Sequence, residues 1–366
     1  MATIEDRVKQ IEEEILTTQY NKATQHHIGK LKAKLAQLKE EQEKRASSGG
    51  GGTGFGVKKS GHGTVVLIGF PSVGKSTLLN QITDAKSNVA AYEFTTLTVV
   101  PGIMTHNDTK IQILDVPGII SGASLGKGRG REVLSIARNA NLILVLLDVY
   151  KPENIDVLKK ELYNVGIRLD KKPPRINVRK TQRGGISLIS SVKLTKIDEP
   201  MVMDIMNIYG YHSADVVAHE DVTQDELIDF IVGNRSYIPS LVVVNKIDLG
   251  DKETMENVHR VLGNDFVPVS ANQKVNIGLL KDKILEKLDI IRIYLKPQGK
   301  KPDMEDPLII RRGSTVRDVA NELHKDFLDK FRYARVWGKS GKYAGQIIGL
   351  DHKLQDKDIL SVIKAN

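Results

Sequence analysis

Five apolar runs constrain this chain more than any other feature: TVVLIGF (64–70), KIQILDV (110–116), ANLILVLLDV (140–149), SLVVVNK (240–246) and DFVPVS (265–270). Runs that do not alternate apolar with polar residues cannot sit half-exposed, so these strands need cover on both faces. The amphipathic stretches between them supply that cover as helices, which predicts an α/β domain built on a mostly parallel sheet. A chain of 366 residues is too long for one ordinary compact domain and is expected to be modular.

The texture of the chain sets its expected divisions. Ile4, Val8, Ile11 and Ile15, then Ile28, Leu31, Leu35 and Leu38, recur at helical spacing on either side of TTQYNKATQHH. Residues 1–46 therefore read as a helical hairpin, which either packs only on itself or docks a large partner. SSGGGGTGFG lies within an expected flexible linker at 47–62. The sheet-bearing domain is expected at 63–168 and 237–290, discontinuous in sequence. Between its halves, 169–236 reads as an inserted small α+β module, with a half-exposed strand in ISLISSVKL and helices in EPMVMDIMNIYGY and TQDELIDFIVGN. A further small mixed domain is expected at 291–366, where a capped helix in STVRDVANELHKDF precedes strand-like RYARVWG and IIGL.

Charge and composition narrow the function classes. The chain carries 54 Lys+Arg against 45 Asp+Glu, a formal net charge of +9, which favours polyanionic partners such as RNA. Residues 171–196 hold eight basic residues and no acidic one, and residues 292–366 hold sixteen basic against ten acidic. The absence of cysteine excludes disulfides, thiolate catalysis and Cys-based metal sites. The opening MATIEDRVKQIEEEI has no apolar core of the signal-peptide kind, and the run Leu142–Leu147 is too short to span a bilayer. A cytoplasmic protein with no membrane association is expected.

GFPSVGKST places Gly69, Phe70, Pro71, Ser72, Val73, Gly74, Lys75, Ser76 and Thr77 in the G-x-x-x-x-G-K-S order, after the strand VVLI and before the helix-like TLLNQI. Such a loop turns backbone N–H groups inward around phosphate oxygens and adds the positive end of a helix dipole. Lys75 brings a point charge to the β and γ phosphates, and Ser76 offers its hydroxyl to Mg²⁺. DVPG (115–118) puts Asp115 at a strand end, suited to hold magnesium through water, and lets Gly118 donate its N–H to the γ-phosphate. Between them the loop AAYEFTTLTVVPG offers Thr95 and Thr96 as further magnesium ligands, and spacing does not choose between the two.

Two segments end in Lys-Ile-Asp, and only one has the right surroundings to read a base. NKID (245–248) follows a strand apolar on both faces, and VSAN follows one short αβ step later. Asn245 would hold the loops together, the stem of Lys246 would lie across the base, and the backbones of Ser270 and Ala271 would approach it. Asp248 can accept from both the ring N–H and the exocyclic amine of guanine, a pair adenine lacks. TKID (195–198) follows a half-exposed strand and reads as a strand-end turn in the inserted module. For hydrolysis, the residue after Gly118 is Ile119, which cannot orient water as a glutamine does. Lys127, Arg129 and Arg131 in GKGRGRE are candidates to stabilise a transferring phosphate, or simply solvated charges. Slow turnover, accelerated by a partner, an ion or a rearranged loop, is expected.

With GFPSVGKST, AAYEFTTLTVVPG, DVPGII, GKGRGR, NKID and VSAN in one order, the chain resembles the developmentally regulated GTP-binding proteins, an Obg-related branch of the translation-factor GTPases. The resemblance covers nearly the whole length. It implies a Ras-like P-loop GTPase domain, an N-terminal hairpin, an inserted α+β domain and a C-terminal β-grasp module of the TGS type from about Ile291. It implies GTP and GDP as ligands with Mg²⁺, and Thr96 as the magnesium-sensing threonine. It implies that Lys75, Thr96 and Gly118 serve catalysis, and that Ile119 belongs to a pattern in which a hydrophobic residue replaces glutamine. It further implies work on the ribosome or translating RNA and a dedicated regulatory protein that stabilises the GTPase. Ser72 stands where many potassium-stimulated relatives carry Asn, which leaves K⁺ as a second cofactor in question. Two classes of function follow: a GTP-hydrolysing switch, or an RNA-binding scaffold with guanine nucleotide as a structural ligand.

Overall fold

Strand Gly63–Gly69 lies at the centre of a seven-stranded sheet because every residue from Thr64 onward in it is buried. In the computed structural model, which describes residues 3–19, 21, 24–47, 61–84, 92–94, 97–115, 136–137 and 140–365, this strand pairs in parallel with Thr109–Asp115 on one side and Leu142–Asp148 on the other. Ser240–Asn245 and Val267–Pro268 continue the sheet in parallel beyond Leu142–Asp148. Leu97–His106 and Tyr92–Phe94 close the opposite edge as antiparallel strands. The chain leaves Gly63–Gly69 for one side of the sheet and then crosses to the other, so the end of this strand is a topological switch point, where α/β sheets open a crevice for ligands.

Leu67, Leu144 and Leu146 are fully buried and pack with Leu78 and Ile82 of the helix Lys75–Ile82 and with Leu280 and Ile284 of the helix Ile277–Leu288. Each contributes about 1.5–3 kcal/mol by leaving water. The segment AAYEFTTLTVVPG, expected as a loop, is instead partly a hairpin: Tyr92, Glu93 and Phe94 pair with Val99, Thr98 and Leu97. Its β-branched and aromatic residues favour the extended backbone. The expected linker lies largely outside the described residues, but its last two residues are bonded, with His62 N–H donating to Lys110 O at 2.7 Å and Gly61 bridging Ile111.

The chain forms two compact units, Met1–Gly54 with Gly166–Tyr237, and Phe55–Val165 with Ile238–Asn366. In the first unit the helices Ile4–Thr17 and Gln25–Ser47 form a hairpin, and the second helix packs on the inserted module rather than on its partner alone. Ala33 is fully buried against Met201, Ile205 and Leu227, and Tyr209 donates its hydroxyl to Ala33 O at 3.2 Å. Gly29 permits this approach, since a Cβ there would stand 2.5 Å from Met201 Sδ. The module is a three-stranded sheet, Ile176–Lys180 and Ile186–Ser190 flanking Ala214–Ala218, antiparallel and parallel respectively.

TKID is not a strand-end turn. The strand Ile186–Ser190 ends earlier, and Asp198 is the N-cap of the helix Glu199–Ile208, accepting from Met201 N–H at 2.9 Å. Asp198 also meets His26 Nε2 at 3.0 Å. An Asp followed by Glu-Pro is a helix-start signal that the string match to NKID obscured.

Where the chain enters and leaves the insertion, Ile167–Leu169 pairs with Ser236–Ile238. Asp229 is buried there, accepting from Arg168 Nε and Nη2 at 2.5 and 2.7 Å and from Arg235 Nε at 2.9 Å.

In the second unit, Ile290–Leu295, Leu308–Arg311, Phe331–Trp337, Gln346–Ile348 and Asp358–Lys364 form a five-stranded mixed sheet, the β-grasp module, closed on one face by the helix Val316–Leu323. The helical stretch in STVRDVANELHKDF is broken at His324, which sits in extended backbone between Val316–Leu323 and Lys325–Asp329. The module meets the main sheet through Arg292, which donates to Asn107 O at 3.1 Å, and Tyr294, which donates to Asp108 Oδ2 at 3.3 Å. Asp356 faces Arg292 at 2.7 Å and holds its guanidinium above its usual pKa.

Candidate P-loop nucleotide site

The loop from Gly69 to Lys75 joins the central strand to the helix Lys75–Ile82, whose opening N–H groups have no acceptor within the helix. Gly74 adopts φ 93, in the left-handed region, and Ser72 adopts φ 64, which costs a non-glycine residue some strain. Phe70 is half-buried, Pro71 and Ser72 are exposed, Val73 is buried, and Thr77 is half-buried on the helix. Lys75 Nζ donates to Gly69 O and Phe70 O at 3.0 Å each, so the ammonium is folded back over the loop. Burial pushes its pKa below the usual lysine value, and the Asp115 carboxylate opposes that shift.

Asp115 ends its strand beside the helix start. Ser76 Oγ donates to Asp115 Oδ2 at 3.0 Å, while Asp115 Oδ1 is buried with no hydrogen-bond partner among the described residues. A buried carboxylate oxygen left unsatisfied costs about 1–3 kcal/mol unless something supplies a positive partner. A hydroxyl and a carboxylate, both hard oxygen donors, fit a Mg²⁺ ion that keeps most of its water. Thr96 and Gly118, expected to complete this site, lie outside the described residues, as do Thr95, Ile119, Lys127, Arg129 and Arg131.

Asn245, 3% exposed, joins the two halves of the site. Its Nδ2 donates to Val73 O at 2.8 Å and its Oδ1 accepts from Ala271 N–H at 3.0 Å, tying the phosphate loop to the loop after Val267–Pro268. Val269 N–H donates to Val244 O at 2.8 Å and Ile247 N–H to Val269 O at 3.3 Å, which seats the Ser270–Ala271 turn beside NKID. Ser270 is fully buried and accepts from Gln273 N–H at 3.1 Å.

Lys246 adopts φ 65, and its ammonium pairs with Asp148 Oδ2 at 2.8 Å. Asp148 and Tyr150 were not singled out from the sequence. The signal for Asp148 was its place at the end of LILVLLD, where strand register sets it directly opposite Asn245. The Tyr150 hydroxyl donates to Leu249 O, pinning the residue after Asp248. Asp248 is half-buried and, unlike Asn245 and Lys246, makes no side-chain hydrogen bond or ion pair to the described residues. Its carboxylate is held at the site and chemically uncommitted.

Gly74 packs against the Asn245 amide with no room for a side chain. A Cβ at position 74 would stand 2.4 Å from Asn245 Nδ2. Gly74→Ala is expected to cost about 1–3 kcal/mol through strain and the displaced amide, read as a lower urea midpoint. An unchanged midpoint would mean that the Asn245 bridge gives way freely.

A central parallel strand, a phosphate loop at the switch point, a strand-end aspartate on the loop serine and an NKID turn bonded to that loop define a P-loop GTPase domain. Residues 64–180 match the family described as 50S ribosome-binding GTPase, residues 183–290 the C-terminal region of that domain, and residues 291–364 the TGS domain. An uncharacterized GTP-binding protein of Methanocaldococcus jannaschii is 59% identical over 363 residues, covering 98% of this chain and 93% of that one. Developmentally-regulated G-protein 3 of Arabidopsis thaliana is 48% identical over the full length of both chains. Developmentally-regulated GTP-binding protein 1 of Xenopus laevis is 44% identical over 98% of both. The chain belongs to the developmentally regulated GTP-binding protein family.

Proposed function

We propose that this protein is a GTP-hydrolysing switch acting on the ribosome or translating RNA in the cytoplasm. The observation that carries the reading is the Asn245 bridge, which places the uncommitted Asp248 carboxylate and the phosphate loop in one bonded unit. Asp248 would accept from the ring N–H and exocyclic amine of guanine, with Lys246 across the base and Ser270 and Ala271 beside it. The N–H groups of Gly69 to Thr77 would cradle the phosphates of GTP or GDP. Lys75 would leave the Gly69 and Phe70 carbonyls for the β and γ phosphates, whose charge opposes the downward pull of burial on its pKa.

Ser76, Thr96 and Asp115 are the residues that would hold Mg²⁺. When bound, the ion neutralises charge on the β and γ oxygens. Gly118 would donate its N–H to the γ-phosphate, so that the loops carrying Thr96 and Gly118 respond to its presence and relax after hydrolysis. Ile119 offers no acceptor for the attacking water, so intrinsic turnover is slow and an activating partner, a monovalent ion such as K⁺ or a loop rearrangement supplies the missing function.

A relation to the ribosome is supported by the name of the matching family, 50S ribosome-binding GTPase, and by the basic excess in residues 171–196 and 292–366. No helix among the described residues is long and apolar enough to cross a membrane. A dedicated regulatory protein that stabilises the GTPase is a further expected partner. The basic excess also favours the second reading, an RNA-binding scaffold in which nucleotide is structural.

Ribosome affinity measured with GDP and with a non-hydrolysable GTP analogue separates the two. The switch predicts about a 5- to 150-fold difference between nucleotide states, the usual range of coupling between sites. Equal affinity in both states would establish the scaffold.

A further inference from the structure

The turn that carries Asp248 is tied at three places to the end of the neighbouring strand Leu142–Asp148. Val149 N–H donates to Asn245 O at 3.1 Å, Lys246 Nζ donates to Asp148 Oδ2 at 2.8 Å, and the Tyr150 hydroxyl donates to Leu249 O. The other oxygen of Asp148 is engaged as well, since Oδ1 accepts from Tyr150 N–H at 3.0 Å. One carboxylate therefore sets the Tyr150 backbone and holds the Lys246 ammonium. Strand register brings this about, because Asp148 lies opposite Asn245.

These ties do more for the turn than for the core. Tyr150 and Leu249 are 54% and 57% exposed, so the bond between them closes a turn on the surface. An exposed hydroxyl-to-carbonyl bond adds little to folding stability, since water offers the same partners; its effect is on where the turn sits. Lys246 adopts φ 65, where a non-glycine residue is strained, and a lysine side chain is otherwise free to sample many rotamers. Here its ammonium is fixed on Asp148 and its carbonyl accepts from Leu249 N–H at 3.0 Å. The stem is held at both ends by the protein's own groups.

We propose that Asp148 and Tyr150 are positioning residues for guanine nucleotide, Asp148 by holding the Lys246 stem for the face of the base and Tyr150 by holding the Asp248 turn at its edge. The role rests on the proposed reading of guanine by Asp248 and is independent of hydrolysis. Groups fixed beforehand need no ordering when the nucleotide arrives. The two residues act on different parts of the base. A stem across the face meets any purine alike, whereas the turn governs the edge that distinguishes guanine.

The test measures affinities of the full chain for GDP and for IDP, which lacks the exocyclic amine, by competition against a fluorescent GDP, with thermal midpoints recorded. The variants are Asp148→Asn, Tyr150→Phe, Lys246→Met and the combination of Asp148→Asn with Lys246→Met. Asp148→Asn keeps an acceptor for Tyr150 N–H and loses the ion pair. It should weaken GDP and IDP equally, by about 3- to 10-fold, the cost of ordering one freed long side chain on binding. In the Lys246→Met background the same substitution should cost less than about 2-fold, because the partner through which it acts is gone. Tyr150→Phe should weaken GDP by about 2- to 5-fold and IDP less, the effect of one neutral hydrogen bond on the turn that reads the edge. Unchanged GDP affinity in either variant would overturn that residue's role, as would a lowered thermal midpoint with nucleotide affinity intact. An Asp148→Asn penalty undiminished by Lys246→Met would overturn the route through Lys246. Asp248→Asn run in parallel separates this outcome from the base reading itself. Guanine preference lost there, with Asp148→Asn and Tyr150→Phe neutral, removes the positioning role alone; guanine preference kept there removes the reading on which the role rests.

Discussion

Asp248→Asn is expected to move base preference from guanine to xanthine. In the proposed site the carboxylate would accept twice from guanine, at the ring N–H and the exocyclic amine, and an amide there would turn one acceptor into a donor facing a donor. Hydrogen bonds to a charged group contribute about 1.5–3 kcal/mol each, so losing one and weakening the other to a neutral bond lowers GDP affinity by about 10- to 10³-fold. Xanthine carries a carbonyl where guanine carries the amine, and accepts from the new amide. The geometry gives the substitution little else to disturb, because Asp248 makes no side-chain hydrogen bond or ion pair to the described residues. Asp198→Asn is the matched control. Asn caps a helix about as well as Asp, so the Met201 N–H keeps its acceptor and the base preference stays. Competition of GDP and XDP against a fluorescent nucleotide reads both variants. A preference that followed Asp198 would overturn the assignment.

The second large effect concerns the neck of the inserted module. Asp229→Ala removes the carboxylate that Arg168 and Arg235 both face, and these arginines are only 3% and 15% exposed. Removing one member of a buried ion group leaves charge that water cannot reach, at about 3–5 kcal/mol. The loss should appear as an early unfolding step in urea, confined to the unit that contains Asp229, with guanine-nucleotide affinity retained. A cost below about 1 kcal/mol, the worth of a surface pair, would show that the arginines find other partners. Replacing Arg168 and Asp229 together by apolar residues should recover much of the loss, because the expense lies in the orphaned charge.

The fold was legible where burial writes a continuous signal. Runs such as LILVLLD are apolar on both faces, and only a covered parallel sheet uses them. The C-terminal sheet was harder. Of its five strands, Ile290–Leu295, Leu308–Arg311 and Asp358–Lys364 escaped notice because short or half-exposed strands share their texture with loops. The hairpin Tyr92–Phe94 with Leu97–His106 escaped for a different reason, since a motif read as a switch loop hid its alternation.

At the candidate site, local signals were legible in the sequence and long-range ones were not. Gly74, Lys75 and Ser76 lie in one contiguous string, and Asn245 is announced by the strand before it. Asp148 belongs to the site through pairing of strands some 100 residues apart, and the Asp148–Lys246 ion pair has no sequence motif. The packing of the second helix on the inserted module is likewise invisible locally, because it joins Ala33 to Ile205 through tertiary structure alone. The reverse error is the turn at Asp198, where a three-letter match outweighed the capping signal of the proline two residues on.

Steady-state release of phosphate from GTP tests the central claim most directly. Purified protein is compared with a Lys75→Ala control, each alone and with ribosomes, in magnesium and with and without potassium. A hydrolysing switch predicts slow turnover by the parent, stimulation under at least one of these conditions, and none in the control. Turnover by the parent no faster than that of Lys75→Ala under every condition would contradict it.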